Sequence, residues 1–68
     1  MTNEERAQRG KKCLLVYEAC QEDDPTSSIV DLVTDLLHLA HAHDIEPDYV
    51  TQTAQTHYQA EVEKEAGL

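Results

Sequence analysis

The stretch Ile29-Val30-Asp31-Leu32-Val33-Thr34-Asp35-Leu36-Leu37-His38-Leu39-Ala40-His41-Ala42-His43 carries the densest apolar set of the chain, and its period decides the fold. At about 100° per residue, Ile29, Leu32, Val33, Leu36, Leu37 and Ala40 fall on one side of a helical wheel. Asp31, Thr34, Asp35, His38 and His41 fall on the other. A half-buried strand would alternate, and this stretch does not. Pro25-Thr26-Ser27-Ser28 supplies hydroxyls for an N-cap, and Ser28 with Asp31 has the Ser-x-x-acid form of a capping box. The spacing predicts a helix over 28–43, with Asp31 in the first turn where the helix dipole favours an anion. The apolar arc is wide enough for two packing partners, which is the pattern of a bundle.

Upstream, Thr2-Asn3-Glu4-Glu5 also has the capping-box form and predicts a first helix over 3–22. Gly10 lies inside it at a cost of about 1 kcal/mol against alanine. Cys13, Val16, Tyr17 and Cys20 follow i, i+3, i+4, i+7 and form the expected packing stripe. Asp24 stands before Pro25 and is pushed out of the helical region, so the first helix must end by there. Downstream, Pro47 suits the first position of a third helix over 47–64. Ile45 and Val50 are placed as a hydrophobic staple at its start. Its stripe is Val50, Ala54, Tyr58 and Val62, and Thr51, Thr53 and Thr56 lower its propensity. Residues 61–65 and the terminal Gly67-Leu68 are expected to fray. Both connections are short, so neighbouring helices should run antiparallel. The expected architecture is an all-α, three-helix up-down-up bundle forming a single small domain over residues 1–68.

A chain of this size buries roughly 60% of the surface its unfolded form exposes. With no Phe or Trp and three Tyr, the core has little bulk to work with. Leftover apolar surface is therefore expected to drive formation of a homodimer. The formal net charge of −9 is unevenly spread: residues 1–12 hold four Lys/Arg against two Glu, and the remainder holds one Lys against twelve Asp/Glu. Such an acidic body repels nucleic acid and anionic membranes, so neither is expected as a partner. No apolar run reaches membrane-spanning length, and the polar, helix-forming start does not read as a signal peptide. Cys13 and Cys20, about 10 Å apart on one helix, are too distant for a disulfide. They read as reduced core residues of a cytoplasmic protein.

Three groups of residues could carry chemistry. Asp31, Asp35 and His38, with His41 close by, lie along the polar side of the central helix and form the candidate binding face. Asp35-x-x-His38 has metal-ligand spacing on one face, and His57 with Glu61 repeats such a pair on the third helix. The bland alternative is a solvated face. The acidic residues Asp23, Asp24, Asp31, Asp35, Asp44, Glu46 and Asp48 form the third group, and their plainest role is solubility. Cysteine nucleophiles are disfavoured by an apolar stripe, which raises a thiol pKa.

Asp31-Leu-Val-Thr-Asp35-Leu-Leu, then Leu39-Ala40 and Asp44-Ile-Glu-Pro-Asp48, resembles the C-terminal helical hairpin of MazG-type all-α nucleoside triphosphate pyrophosphohydrolases over residues 29–60. That family holds Mg²⁺ with helix carboxylates to activate water against a triphosphate. The resemblance implies Glu18, Glu22, Asp31 and Asp35 as metal ligands, with Asp35 on the motif's aspartate. The motif's glutamate falls on Leu32, which cannot bind a metal. Asp35-Leu36-Leu37-His38 and Ala54-Gln-Thr-His57-Tyr58-Gln-Ala-Glu61 also resemble short uncharacterised phage and mobile-element proteins, which bring no activity with them. The leading expectation is a small acidic helical module, binding another protein, with no cofactor and no catalytic residue. The alternative is a reduced Mg²⁺-dependent pyrophosphohydrolase.

Overall fold

The computed structural model describes residues 2–17, 21 and 23–67. Three helices account for most of them: α1 (Asn3–Leu15), α2 (Pro25–Ala42) and α3 (Pro47–Glu65). No strand occurs among the described residues. The all-α, three-helix class read from the periodicity is the class observed, and each helix touches both others.

The start of α1 follows the local sequence. Thr2 caps it: the Glu5 backbone N–H donates to the Thr2 hydroxyl at 3.1 Å, and the Thr2 N–H donates to the Glu5 carboxylate at 3.2 Å. Its end differs from the expected span of 3–22. The helix stops at Leu15, and the N–H groups of Val16 and Tyr17 bond back three residues, to Cys13 at 3.3 Å and Leu14 at 3.0 Å. The expected Cys13/Val16/Tyr17/Cys20 stripe is therefore broken. Leu14 and Tyr17 are half-buried, Cys13 is a free and exposed thiol, and Val16 is 81% exposed. Cys20 lies outside the described residues. Leaving the helix at this point lets Tyr17 reach α2.

Helix α2 begins three residues earlier than its hydroxyl cluster suggests. Asp24 is the N-cap, accepting from the Ser27 N–H at 3.2 Å, and Pro25 takes the first helical position. The rule that placed Pro47 at N1 applies equally to Pro25. Hydrogen bonding from Ser27, through its side chain and then its backbone, holds the Asp24 carboxyl below the usual carboxylate range. Ser28, expected as the cap, is instead inside the helix and 1% exposed. Its hydroxyl accepts from the Gln21 N–H at 2.7 Å and donates to the Gln21 carbonyl at 3.1 Å.

The far end of α2 closes without glycine. Asp44 has φ of 61°, the left-handed region. The Ile45 N–H bonds the Ala40 carbonyl at 2.8 Å and the Asp44 N–H bonds His41 at 3.0 Å, which together make a Schellman turn. A Cβ at this position is strained, so Asp44→Gly is expected to stabilise the fold by about 0.5–1 kcal/mol, or a few degrees in Tm. A thermal melt in which the variant unfolds below the parent would count against this account. Pro47 then opens α3 as expected. Residues 61–65 stay helical rather than fraying, because they dock on α1. The Asn3 N–H donates to the Glu65 carboxylate at 2.6 Å, the Asn3 side-chain amide donates to the Glu61 carbonyl at 3.1 Å, and Arg6 pairs with Glu61 at 3.2 Å. A carboxylate at the first turn of α1 also suits its dipole.

What the helices do not build is a substantial core. Among the described residues only Ala40, 7% exposed, is a buried hydrophobic. The expected core arc of α2 is otherwise partly open: Leu32 and Leu37 are half-buried, while Ile29, Val33 and Leu36 are exposed. The physical reason is shape. The backbone extends over 36 × 31 × 17 Å with a radius of gyration of 13.4 Å, against about 11 Å for a compact chain of this length. Along the arc Ala40 is covered, Leu32 and Leu37 are half covered, and Ile29, Val33 and Leu36 stay open.

Candidate functional site

The acid and histidine residues of α2 do not converge on one point. Asp35 turns towards α1, where its carboxylate accepts a hydrogen bond from the Tyr17 hydroxyl. Asp31 lies near enough for its charge to act on the same phenol. The Tyr17 pKa is pushed up from about 10 to about 12, chiefly by the hydrogen bond to Asp35, with partial desolvation and the charges of Asp35 and Asp31 adding to it. This bond needs the protonated phenol. Its contribution to stability is complete below the unfolded pKa of about 10 and is lost as pH rises through the folded value of about 12.

Spectrophotometric titration of tyrosinate should therefore resolve one of the three tyrosines near pH 12, and Asp35→Asn should bring it down towards 10. Three tyrosines titrating together in the parent would show that the bond is absent in solution. Sequence spacing alone makes Tyr17 a packing residue. Its role as a tether was hidden because its partner is 18 residues away on another helix.

His38 and His41 face the other way. They line a shallow recess with Thr34, Leu37 and Pro47, at the junction of α2 with α3. His41 also borders the neighbouring recess formed by Asp44, Ile45, Glu46 and Pro47. In the second potential metal pair, on α3, Glu61 is engaged by Arg6 and His57 is exposed. Among the described residues, no three His, Cys, Asp or Glu side chains are grouped as a metal ion would require. Of the four ligands implied by the nucleotide-hydrolase resemblance, Asp31 and Asp35 lie on α2, and Glu18 and Glu22 lie outside the described residues. Leu32, at the position of the motif's glutamate, is half-buried.

The feature that stands out chemically is apolar. Ile29, Val33 and Leu36 are 52%, 41% and 48% exposed and follow one another at steps of four and three along α2. Val30 and Leu39 flank them and are also exposed. No charged residue interrupts this stripe, since Asp31 and Asp35 leave on the α1 side and His38 and His41 on the α3 side. Sequence periodicity assigned these residues to the interior. The signal that they would remain open was already present in the lack of Phe and Trp: neighbouring helices without bulky side chains cannot fill so wide an arc.

No helix among the described residues is long and apolar enough to cross a membrane. No protein family, curated protein or solved structure matches the chain in comparisons of sequence and fold.

Proposed function

We propose that the chain is a protein-interaction module that engages its partner through the uncovered apolar face of α2. The single observation behind this reading is the half-exposed Ile29–Val33–Leu36 stripe. A monomeric protein rarely leaves a contiguous apolar patch of this kind in water unless it is a binding surface. Asp31, Asp35, His38 and His41 lie on the other side of α2, so the apolar stripe alone carries the reading. Binding of this kind needs neither metal nor cofactor. The proposal includes a cytoplasmic location, in keeping with the lack, among the described residues, of a helix able to cross a membrane.

Site-specific photo-crosslinking in cells tests the reading. A benzophenone amino acid at position 33 is expected to give protein adducts, and one at exposed Gln59 on α3 is expected to give few. If position 33 yields no more adducts than position 59, the face is not an interaction surface.

A further inference from the structure

Helix α1 is held to the rest of the chain near its two ends and hardly in between. Asn3 and Leu14 are its only half-buried residues, and none of its residues is buried. At its start the Asn3 N–H donates to the Glu65 carboxylate at 2.6 Å, the Asn3 side-chain amide donates to the Glu61 carbonyl at 3.1 Å, and Arg6 pairs with Glu61 at 3.2 Å. Just beyond its end the Tyr17 hydroxyl donates to the Asp35 carboxylate. Little apolar surface is committed to this docking, so releasing α1 forfeits little of what burial supplies. From this, and from the charge pattern below, we infer that α1 is an electrostatic strap: it undocks as a unit while the α2–α3 hairpin stays folded, and its docking weakens as salt rises. The strap is independent of whatever partner meets the open face of α2.

The hairpin has support that does not pass through α1. Its turn is closed by the Ile45 and Asp44 N–H groups, which bond the carbonyls of Ala40 at 2.8 Å and His41 at 3.0 Å. Ala40, the one buried hydrophobic among the described residues, lies at this end of α2. Leu37, Pro47, Val50, Thr51 and Thr53 are half-buried, and all fall within the last two turns of α2 or the first two of α3. Contacts across a short turn close small loops. The clasp between Asn3 and Glu65 closes a loop of some sixty residues, which costs more chain entropy. The two parts of the fold are therefore unequal in what secures them, and α1 has the weaker hold.

Charge sets the response to salt. Helix α1 carries Arg6, Arg9, Lys11 and Lys12 against Glu4 and Glu5, a balance of +2. Residues 25–65 carry one lysine, Lys64, against eight Asp/Glu, a balance of −7 with the histidines neutral. Docking α1 brings unlike charges together, and the Arg6–Glu61 pair is their point of contact, with the Arg6 side chain open to counterions. Folding the hairpin, by contrast, holds like charges together. Raising ionic strength from about 0.1 M to about 1 M shortens the Debye length from about 10 Å to about 3 Å. Salt thus acts on the two parts with opposite signs: it weakens the attraction that seats α1 and relieves the repulsion within the hairpin. A free helix of 13 residues is marginal in water, so α1 loses its amide protection whenever it undocks.

The test is amide hydrogen exchange of the full chain, resolved by residue with NMR, at about 0.1 M and about 1 M salt, each rate referred to the intrinsic rate in the same buffer. In high salt the protection of amides 7–15 on α1 is expected to fall about threefold or more, while that of amides 50–58 on α3 holds or rises. Glu61→Gln combined with Glu65→Gln should lower α1 protection already at low salt, shrink its salt response, and spare amides 50–58. Should that variant unsettle α3 itself, the salt response of the parent decides alone. Equal protection and an equal salt response in α1 and α3 would mean one cooperative unit and overturn the inference. Protection of α1 that is unchanged or raised by salt overturns it as well, because the docking is then not electrostatic. So do α1 amides that are unprotected at low salt, because the helix is then not docked.

Discussion

Ser28→Ala is expected to destabilise the fold by about 1–3 kcal/mol, although alanine is the better helix former. The loss comes from the segment leading into α2 rather than from the helix itself. The Ser28 hydroxyl satisfies both backbone groups of Gln21, accepting at 2.7 Å and donating at 3.1 Å, and it does so from a site 1% exposed. Removing it leaves a donor and an acceptor facing a methyl group, with the desolvation cost of each unrecovered. Helix propensity returns only about 0.5 kcal/mol of this. Chemical denaturation of parent and variant under identical conditions reads the difference. A change within about 0.3 kcal/mol would mean that water replaces the hydroxyl without loss, and that Ser28 does not anchor the approach to α2.

The second large effect is at Leu36. In one copy of the chain Leu36 is 48% exposed, so Leu36→Ala forfeits about half of a full burial, roughly 1 kcal/mol. Where a bound partner covers Leu36, the loss rises to about 2–4 kcal/mol. Thermal melts across a hundredfold range of concentration separate the two. The gap in Tm between parent and variant widens with concentration only when that partner is a second copy, through mass action. A gap independent of concentration and equivalent to a stability loss of about 3 kcal/mol would place Leu36 inside the single chain. A small, constant gap would mean that the face stays wet.

The contrast between these residues shows what could be read in advance. Local signals were legible: the Thr2–Glu5 box and Pro47 at N1 are encoded within a few residues and appear where expected. The period of α2 correctly marked it as the organising helix. Ser28 was misplaced because a hydroxyl before an apolar run suits either a cap or a buried bridge, and only the tertiary position of Gln21 distinguishes them. Asp24 followed by proline reads as a stop for α1 and as a start for α2, and here it is the start. The inward and outward parts of the α2 arc were inseparable in sequence, because a wheel ranks faces by polarity and does not count how many neighbours arrive to cover them. Asp35 fell on the polar side as expected, yet it is tethered, since a tyrosine from the end of α1 can reach that flank. The candidate face was therefore legible as a set of residues and not as an arrangement: its acids serve α1 and its histidines border α3.

The polar contacts between the first turn of α1 and the last turns of α3 give the backbone the connectivity of a ring rather than a zigzag. The chain passes through three helices and returns almost to its beginning, where Asn3 and Arg6 meet Glu61 and Glu65. Loop-closure entropy rises only slowly with contour length, by about 0.6 kcal/mol for each doubling. Joining residues some sixty positions apart rather than about four is four doublings, or roughly 2.4 kcal/mol. The Asn3 hydrogen bonds and the Arg6–Glu61 pair offset part of that cost, and α1 also rests against α2.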